Sequence, residues 1–130
     1  MLNFLQRLNY LPFALAWFLL ITTLMCLPGS VLPQEDWLAE IDFDKIVHIG
    51  MFAGLVFLWC GVVTKKEKNF KSVQQIFVWV ALCGCVYGVI MEFVQKYFIP
   101  NRSFDILDML ADAIGSIIGL VVATKLFVKK

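Results

Sequence analysis

Ionisable side chains and one amide stand inside or at the edge of segments of this sequence that are otherwise almost entirely apolar. The set is Asp44, Lys45, His48, Glu92, Gln95, Arg102, Asp105, Asp108 and Asp112. Carboxylates and a histidine are the groups that act as general acids and bases, ligate metal ions, or bind amines and sugars. An unpaired carboxylate inside a membrane costs several kcal/mol, so these side chains must face one another, a wet cavity or a ligand. We therefore interpret the set as one candidate functional pocket.

The spacing of these residues places them on common helix faces. At about 100° per residue, Asp105, Asp108 and Asp112 fall within an arc of roughly 60° on a helix. Glu92 and Gln95 are three residues apart and also share a face. The sequence thus predicts polar stripes on neighbouring helices, all directed at one site.

The elements that carry these stripes are predicted from composition. Hydrophobic residues make up 61% of the 130 residues, whereas a soluble domain is nearer half apolar. Four apolar segments are each close to the ~20 residues that span a bilayer as a helix. They cover about residues 11–27, 44–63, 76–98 and 104–128. We predict an all-α membrane protein, a four-transmembrane-helix bundle that forms a single domain over residues 1–130, with the lipid bilayer as its first partner.

Basic residues are distributed unevenly between the two sides of the predicted bundle. One side has eight of the eleven: Arg7, Lys65, Lys66, Lys68, Lys71, Lys125, Lys129 and Lys130. Because basic residues favour the cytoplasmic side, both termini are predicted to be cytoplasmic and loops 28–43 and 99–103 external. The candidate pocket then lies at the external end. The net charge of +1 gives no reason to expect a nucleic-acid partner.

Small residues four apart predict close helix packing. Gly84 and Gly88 form one such pair in the third segment, and Ala111, Gly115 and Gly119 form a ladder in the fourth. In lipid, such spacings let helix backbones approach closely. We predict that the third and fourth helices pack as an antiparallel hairpin with a short turn.

Structural roles compete with functional ones at several positions. Asp44 and Asp105 stand in first helical turns, where a carboxylate is favoured by the helix dipole. Arg102 could pair with Asp105 as a lock on the turn. Ser103 is predicted to cap the fourth helix. The acidic residues of loop 28–43 are interpreted as a solvated loop.

At these residues the chain resembles the VanZ-like family. The resemblance rests on Asp44-Lys45-x-x-His48, Glu92-x-x-Gln95, Pro100-x-Arg102-x-x-Asp105-x-x-Asp108, Gly115-x-x-x-Gly119 and Leu27-Pro28-Gly29. It spans about residues 17–120. One departure is Asp112, where the family commonly has asparagine; it adds one potential negative charge to the pocket.

The resemblance implies a small multi-helix protein of the bacterial inner (cytoplasmic) membrane. The family's namesake is associated with resistance to glycopeptide antibiotics, notably teicoplanin. No catalytic residue is carried over from the family, so the resemblance implies a place in the cell envelope rather than a reaction.

Three functions remain open from the residues. The first is recognition of a lipid headgroup, a lipid-linked cell-wall precursor or another amphiphile, without catalysis. The second is an intramembrane hydrolase or transferase that acts on a lipid-linked substrate through the carboxylates and His48. No organic cofactor is expected, although two carboxylates and a histidine could hold Mg²⁺, Mn²⁺ or Zn²⁺. The third is an accessory subunit with a membrane-protein partner.

Overall fold

The computed structural model describes residues 2–33, 35–65 and 69–128, and this part of the chain is all-α, as predicted. Its helices are α1 (Leu2–Arg7), α2 (Tyr10–Met25), α3 (Asp36–Glu40), α4 (Phe43–Thr64), α5 (Phe70–Phe98) and α6 (Ile106–Phe127), with a 3-10 turn at Gly29–Val31. No strand occurs within these described ranges. Four helices form the body of the bundle, and the short α3 lies in the loop between α2 and α4.

Three of these helices are long and apolar enough to cross a membrane. They are α4, α5 and α6, with 22, 29 and 22 residues. Helix α2 is equally apolar but has only 16 residues, or about 24 Å at 1.5 Å per residue. It is short because Asn9 caps its start, accepting the N–H of Leu11, and because Pro28-Gly29 follows its end. Side chains such as Trp79, Val86 and Ile117 are more than half exposed on the outside of the bundle, as suits contact with lipid.

Two helices begin where a side chain caps them rather than where the apolar run begins. Helix α5 begins at Phe70, earlier than the predicted residue 76, because Asn69 accepts the N–H of Lys71 at 3.1 Å. Helix α6 begins at Ile106 because Asp105 accepts the N–H of Leu107 at 2.8 Å. The prediction that Ser103 caps this helix is therefore wrong: the carboxylate of Asp105 is a stronger acceptor for the first-turn N–H groups.

The small residues separate into two groups that face different helices. Gly84 and Gly88 of α5 lie against Ser116 and Asp112 of α6, as the predicted hairpin requires. The glycines at positions 115 and 119 instead lie against the backbone of α4. The hairpin interpretation missed this contact, because the sequence does not tell which neighbour a small face will meet. Helix α6 therefore packs closely on two sides, and α4 is its principal partner.

Both contacts with α4 are backbone to backbone. A Cβ on Gly115 would overlap the carbonyl oxygen of Ile49, and a Cβ on Gly119 would lie 2.5 Å from the carbonyl oxygen of Ala53. Ala111, one turn earlier on α6, is buried at 4% exposure. This close approach brings the first turns of α4 and α6 side by side.

Hydrogen bonds fasten the end of α2 to the same end of the bundle. The side chain of Gln95 donates to the carbonyl of Met25 at 2.9 Å, and the N–H of Gly29 donates to the carbonyl of Pro100 at 3.1 Å. Helices α2 and α5 thus finish where α4 and α6 begin. We call this end of the bundle the polar end, because every candidate pocket residue lies there.

The α4–α6 contact gives a direct test of the packing. Gly115→Ala should lower the free energy of unfolding by about 1–3 kcal/mol, because the added methyl group forces the two backbones apart. The measurement is thermal unfolding of the purified protein in detergent, followed by circular dichroism.

Gly50→Ala on α4 is the matched control, since nothing lies within 4 Å of a Cβ at that position. It should leave stability unchanged or raise it slightly, because alanine is the better helix former. Equal losses in the two variants would contradict the close packing of α4 and α6.

Candidate functional site

The ammonium group of Lys45 lies among three carboxylates at the polar end. Its Nζ is 2.7 Å from Oδ2 of Asp44, 2.7 Å from Oδ2 of Asp105 and 2.8 Å from Oδ1 of Asp108. Asp44 precedes Lys45 on α4, whereas Asp105 and Asp108 belong to the start of α6. One positive charge is therefore shared by three negative charges that arrive from two helices, and the cluster joins these helices at their first turns.

Asp105 caps α6 in addition to its place in this cluster. Its Oδ1 caps α6, and its Oδ2 accepts from Lys45. The Lys45 ammonium holds the pKa of the Asp105 carboxyl below its usual range, and the hydrogen bond from the N–H of Leu107 acts in the same direction. Asp105 is therefore an anion at neutral pH, and it pairs with Lys45 rather than with Arg102.

A second, deeper group consists of His48, Asp108 and Asp112. His48 is 5% exposed and Asp112 is 1% exposed. The Nδ1 of His48 lies 2.7 Å from Oδ1 of Asp112, while its Nε2 lies 3.8 Å from Oδ2 of Asp108. When Asp112 is ionised its carboxylate only accepts, and the hydrogen of this pair is then on Nδ1 of His48. Asp108 contacts Lys45 through one oxygen and approaches His48 with the other, so it links the two groups.

Glu92 completes the buried part of the site from α5. Its side chain is fully buried, and its Oε2 accepts the backbone N–H of Asp105 at 2.9 Å. The other oxygen, Oε1, and the Oδ2 of Asp112 are buried without a hydrogen-bond partner among the described residues. These two oxygens are where a donor from water or a ligand would be most favourable.

Gly88 makes room for the Asp112 side chain. A Cβ at Gly88 would lie 2.7 Å from Oδ2 and 2.8 Å from Cβ of Asp112. The Ser116 hydroxyl donates to the carbonyl oxygen of Asp112 at 2.9 Å. The small residues of α5 are therefore part of the site, because a larger side chain would displace the partner of His48.

The structure gives Gln95 and Arg102 different places from the rest. Gln95 is 2% exposed, and its side-chain amide donates a hydrogen bond to the carbonyl of Met25. It therefore stabilises the fold of the polar end. Arg102 lies in the turn between α5 and α6. In the described part of the chain it forms no ion pair, and its buried Nε has no acceptor. The expected lock between Arg102 and Asp105 is absent there because Lys45 occupies the carboxylate.

A cavity of about 640 Å³ opens beside these clusters. Its apolar wall includes Leu24, Met25, Val47 and Met51, from the end of α2 and the start of α4. Its charged wall includes Glu35, Asp36, Asp42, Asp44, Lys45 and Arg102, and His48 also lines it. A volume of this size is typical of a site for a small molecule or a headgroup.

The predicted pocket residues therefore divide into two layers. Four of them line the cavity, namely Asp44, Lys45, His48 and Arg102. The others, Glu92, Gln95, Asp105, Asp108 and Asp112, are outside its lining and hold the lining residues or the helices in place. We call these five supporting residues the buried shell, because most of them are buried. They hold the charged lining of the cavity in place.

Sequence reasoning missed the contribution of the loop between α2 and α4. Glu35, Asp36 and Asp42 are exposed, as a solvated loop requires, and they also line the cavity together with Ala39 of α3. The available signal was the density of acidic residues in a loop that adjoins the polar end. In the structure Asp42 has a φ of 49°, in the left-handed region that aspartate tolerates better than most residues.

Three of the carboxylates have the spacing of metal ligands. Oxygen atoms of Asp44, Asp105 and Asp108 all lie within 4.8 Å of one another. The ammonium of Lys45 contacts the same three side chains. A divalent cation would therefore compete with Lys45 for them, and His48 is not part of this group.

Removal of the ammonium tests this competition. Lys45→Met should lower the free energy of unfolding by about 3 kcal/mol, because it leaves clustered carboxylates without their counter-charge. Mg²⁺ or Ca²⁺ should raise the melting temperature of the variant and leave that of the unmodified protein unchanged. Thermal unfolding with and without chelator measures both effects.

Lys96→Met is the control, since the ammonium of Lys96 lies over the rings of Tyr97 and Phe104 at the same end of the bundle. Lys96→Met should leave the free energy of unfolding unchanged, and Mg²⁺ or Ca²⁺ should not raise its melting temperature. An equal response of the unmodified protein to Mg²⁺ would show that Lys45 does not take the place of the cation.

Comparison with known proteins bears on the resemblance noted above. Searches among curated proteins and among solved structures give no match. The family model described as VanZ/LLP1 matches residues 2–128, which is nearly the whole chain and includes every residue of the polar end described above. Because this match covers far more than half of its length, and three of its helices are long and apolar enough to span a membrane, this chain belongs to the VanZ/LLP1 family.

Proposed function

We propose that this chain is a multi-pass protein of the bacterial cytoplasmic membrane that binds the headgroup of an amphiphile in its cavity. The ligand class is a membrane lipid, a lipid-linked cell-wall precursor or an amphiphilic antibiotic, taken from the external leaflet. The observation that carries the proposal is the composition of the cavity, which has one apolar wall and one charged wall. A ligand that matches both walls has a polar head and an apolar body.

The apolar wall favours a lipid-like ligand over a water-soluble one. Leu24, Phe43 and Val47 line the cavity and are also 38%, 41% and 36% exposed. They therefore belong both to the cavity and to the outer surface of the bundle. An acyl or other apolar chain could lie against them while its head enters the charged part, without leaving the membrane.

The buried shell supports recognition because it fixes the charged wall before a ligand arrives. Lys45 is held by three carboxylates and His48 by Asp112. A preorganised site loses less conformational entropy on binding than a flexible one. The association of the family's namesake with resistance to the glycopeptide antibiotic teicoplanin also supports a ligand of the cell envelope.

The orientation of the chain is part of the proposal. Arg7, Lys65, Lys71 and Lys125 lie at the end of the bundle opposite the polar end, at helix ends. Lys66, Lys68, Lys129 and Lys130, which also entered the prediction, lie outside the described residues. By the preference of basic residues for the cytoplasm, the polar end faces outward and both termini face inward. Helix α2 then completes the four spans.

Cysteine labelling tests this orientation. In a background with serine at the natural positions Cys26, Cys60, Cys83 and Cys85, single cysteines replace the exposed residues Ser30, Ser103 or Lys71. A membrane-impermeant maleimide should label Ser30→Cys and Ser103→Cys in intact cells. It should label Lys71→Cys only after permeabilisation, and the reverse pattern would contradict the proposed topology.

A cavity-filling substitution tests amphiphile binding. Ala39 lines the cavity, so Ala39→Trp should abolish retention of lipid by the purified protein, measured by native mass spectrometry from mixed vesicles. Glu40→Trp is the control, because Glu40 is the next residue of α3 and is outside the lining. Equal retention by the two variants would contradict binding in this cavity.

Catalysis is a second candidate, and the His48–Asp112 pair favours it. Asp112 holds Nδ1 at 2.7 Å, which leaves Nε2 of a cavity-lining imidazole to act as a general base. An intramembrane hydrolase or transferase on a lipid-linked substrate would use this arrangement.

Turnover distinguishes catalysis from binding alone. If the protein is an enzyme, incubation in lipid nanodiscs releases headgroup products, and His48→Gln abolishes release while lipid retention persists. If it only binds, the unmodified protein and His48→Gln both leave the lipid intact. Chelator should change neither result, because the Lys45 ammonium occupies the carboxylates that could bind metal.

A further inference from the structure

Besides the charged residues of α4, two other segments contribute charges of opposite sign to the lining of the cavity. Glu35, Asp36 and Asp42 come from the loop between α2 and α4, whereas Arg102 comes from the turn between α5 and α6. The two segments are far apart in sequence and are joined by the hydrogen bond from the N–H of Gly29 to the carbonyl of Pro100. A ligand inside it therefore encounters carboxylates on one side and a guanidinium on another.

Of the basic groups in the lining, Arg102 is the one whose charge is available. Lys45 is already shared by three carboxylates, and Nδ1 of His48 is engaged by Asp112. Arg102 forms no ion pair within the described residues, and its Nε is buried without an acceptor. A buried guanidinium N–H lacking an acceptor is unfavourable, and carboxylate and phosphate both match guanidinium geometry. Of these two anions, phosphate is the one that joins the head to the chains in a phospholipid. The turn thus offers a site for an anionic oxygen of the ligand.

The acidic residues of the lining disfavour a purely anionic headgroup. Glu35, Asp36 and Asp42 form no ion pair in the part of the chain that the structure describes. An anion bound at Arg102 would face their uncompensated charge, unless the ligand itself carries a cation. A purely cationic headgroup would in turn leave the Nε of Arg102 without an acceptor. Only a head with both charges satisfies the two sides.

We propose that the headgroup recognised in this cavity is a zwitterion that joins a phosphate to a primary amine, with the phosphate on Arg102 and the amine on Asp36 and Asp42. This inference rests on the proposed function and names its ligand class. The ligand is a phosphoethanolamine-type lipid of the external leaflet.

The donor chemistry distinguishes a primary amine from a quaternary one. A primary ammonium has three N–H donors, which match carboxylate acceptors. Quaternary ammonium groups are recognised by cages of aromatic rings, and Phe43 is the single aromatic residue in the described lining. The cavity therefore favours ethanolamine over choline.

Native mass spectrometry of the full-length protein from equimolar vesicles tests the inference. The four probes are dioleoyl phosphatidylethanolamine, the same lipid with its amine acetylated, phosphatidylcholine and phosphatidylglycerol. We expect phosphatidylethanolamine to be retained about tenfold more than each of the others, the effect of one charged hydrogen bond. Glycerophosphoethanolamine, which has the head and no chains, should not displace it at equal concentration.

Two variants assign the two charges. Arg102→Gln should lower retention of phosphatidylethanolamine about tenfold, with Lys96→Gln as the control for loss of a basic residue at the same end. Asp36→Asn combined with Asp42→Asn should remove the preference for the free amine over the acetylated amine. Asparagine keeps the left-handed conformation at position 42. Glu40→Gln is the control for this pair.

The outcomes separate this inference from the proposed function. If all four lipids are retained equally and Ala39→Trp abolishes their retention, the preference for a zwitterionic headgroup is wrong, while amphiphile binding in the cavity stands. Displacement by glycerophosphoethanolamine would overturn the lipid as source of the headgroup. Retention of no lipid, or retention unaffected by Ala39→Trp, would overturn the proposed function itself.

Discussion

Charge compensation at the polar end is the constraint on which the rest of the structure depends. Lys45 is 18% exposed in its side chain and contacts carboxylates from both α4 and α6. Loss of either the ammonium or the buried Asp108 carboxylate would leave an unpaired charge at the edge of an apolar bundle. The first turns of the two helices must therefore stay in contact, and every other feature of the site is arranged around that contact.

Close helix packing keeps the distances between the charged groups of the cluster short. Gly115 and Gly119 bring α6 onto the backbone of α4, and Gly88 allows Asp112 to lie flat against α5. With larger residues at these positions, the carboxylates would move away from Lys45 and His48. The small residues and the polar residues therefore depend on each other, because the close approach of the helix backbones sets the distances between the charged groups.

The same arrangement explains why the cavity has two chemically different walls. Gln95 holds the end of α2, so Leu24 and Met25 face the cavity from one side. The acidic loop that follows α2 returns to the start of α4, and Glu35, Asp36 and Asp42 of this loop also line the cavity. An apolar helix end and an acidic loop therefore line one cavity beside a buried charge cluster, and such a site is suited to a molecule with a head and a chain.

The sequence by itself determined the elements and their polarity. The length and apolarity of the segments predict the helices, and the spacing of Asp105, Asp108 and Asp112 predicts a common polar face, because helical periodicity is a local property. Tertiary structure alone decided which groups pair: Lys45 and Asp105 are 60 residues apart, and His48 and Asp112 are 64 apart. It also decided that the ladder at 115 and 119 meets α4, that Gln95 serves the fold, and that the loop acids line the cavity. The physical reason is that periodicity fixes the face a residue occupies on its own helix, whereas the neighbour of that face depends on how all the helices pack together.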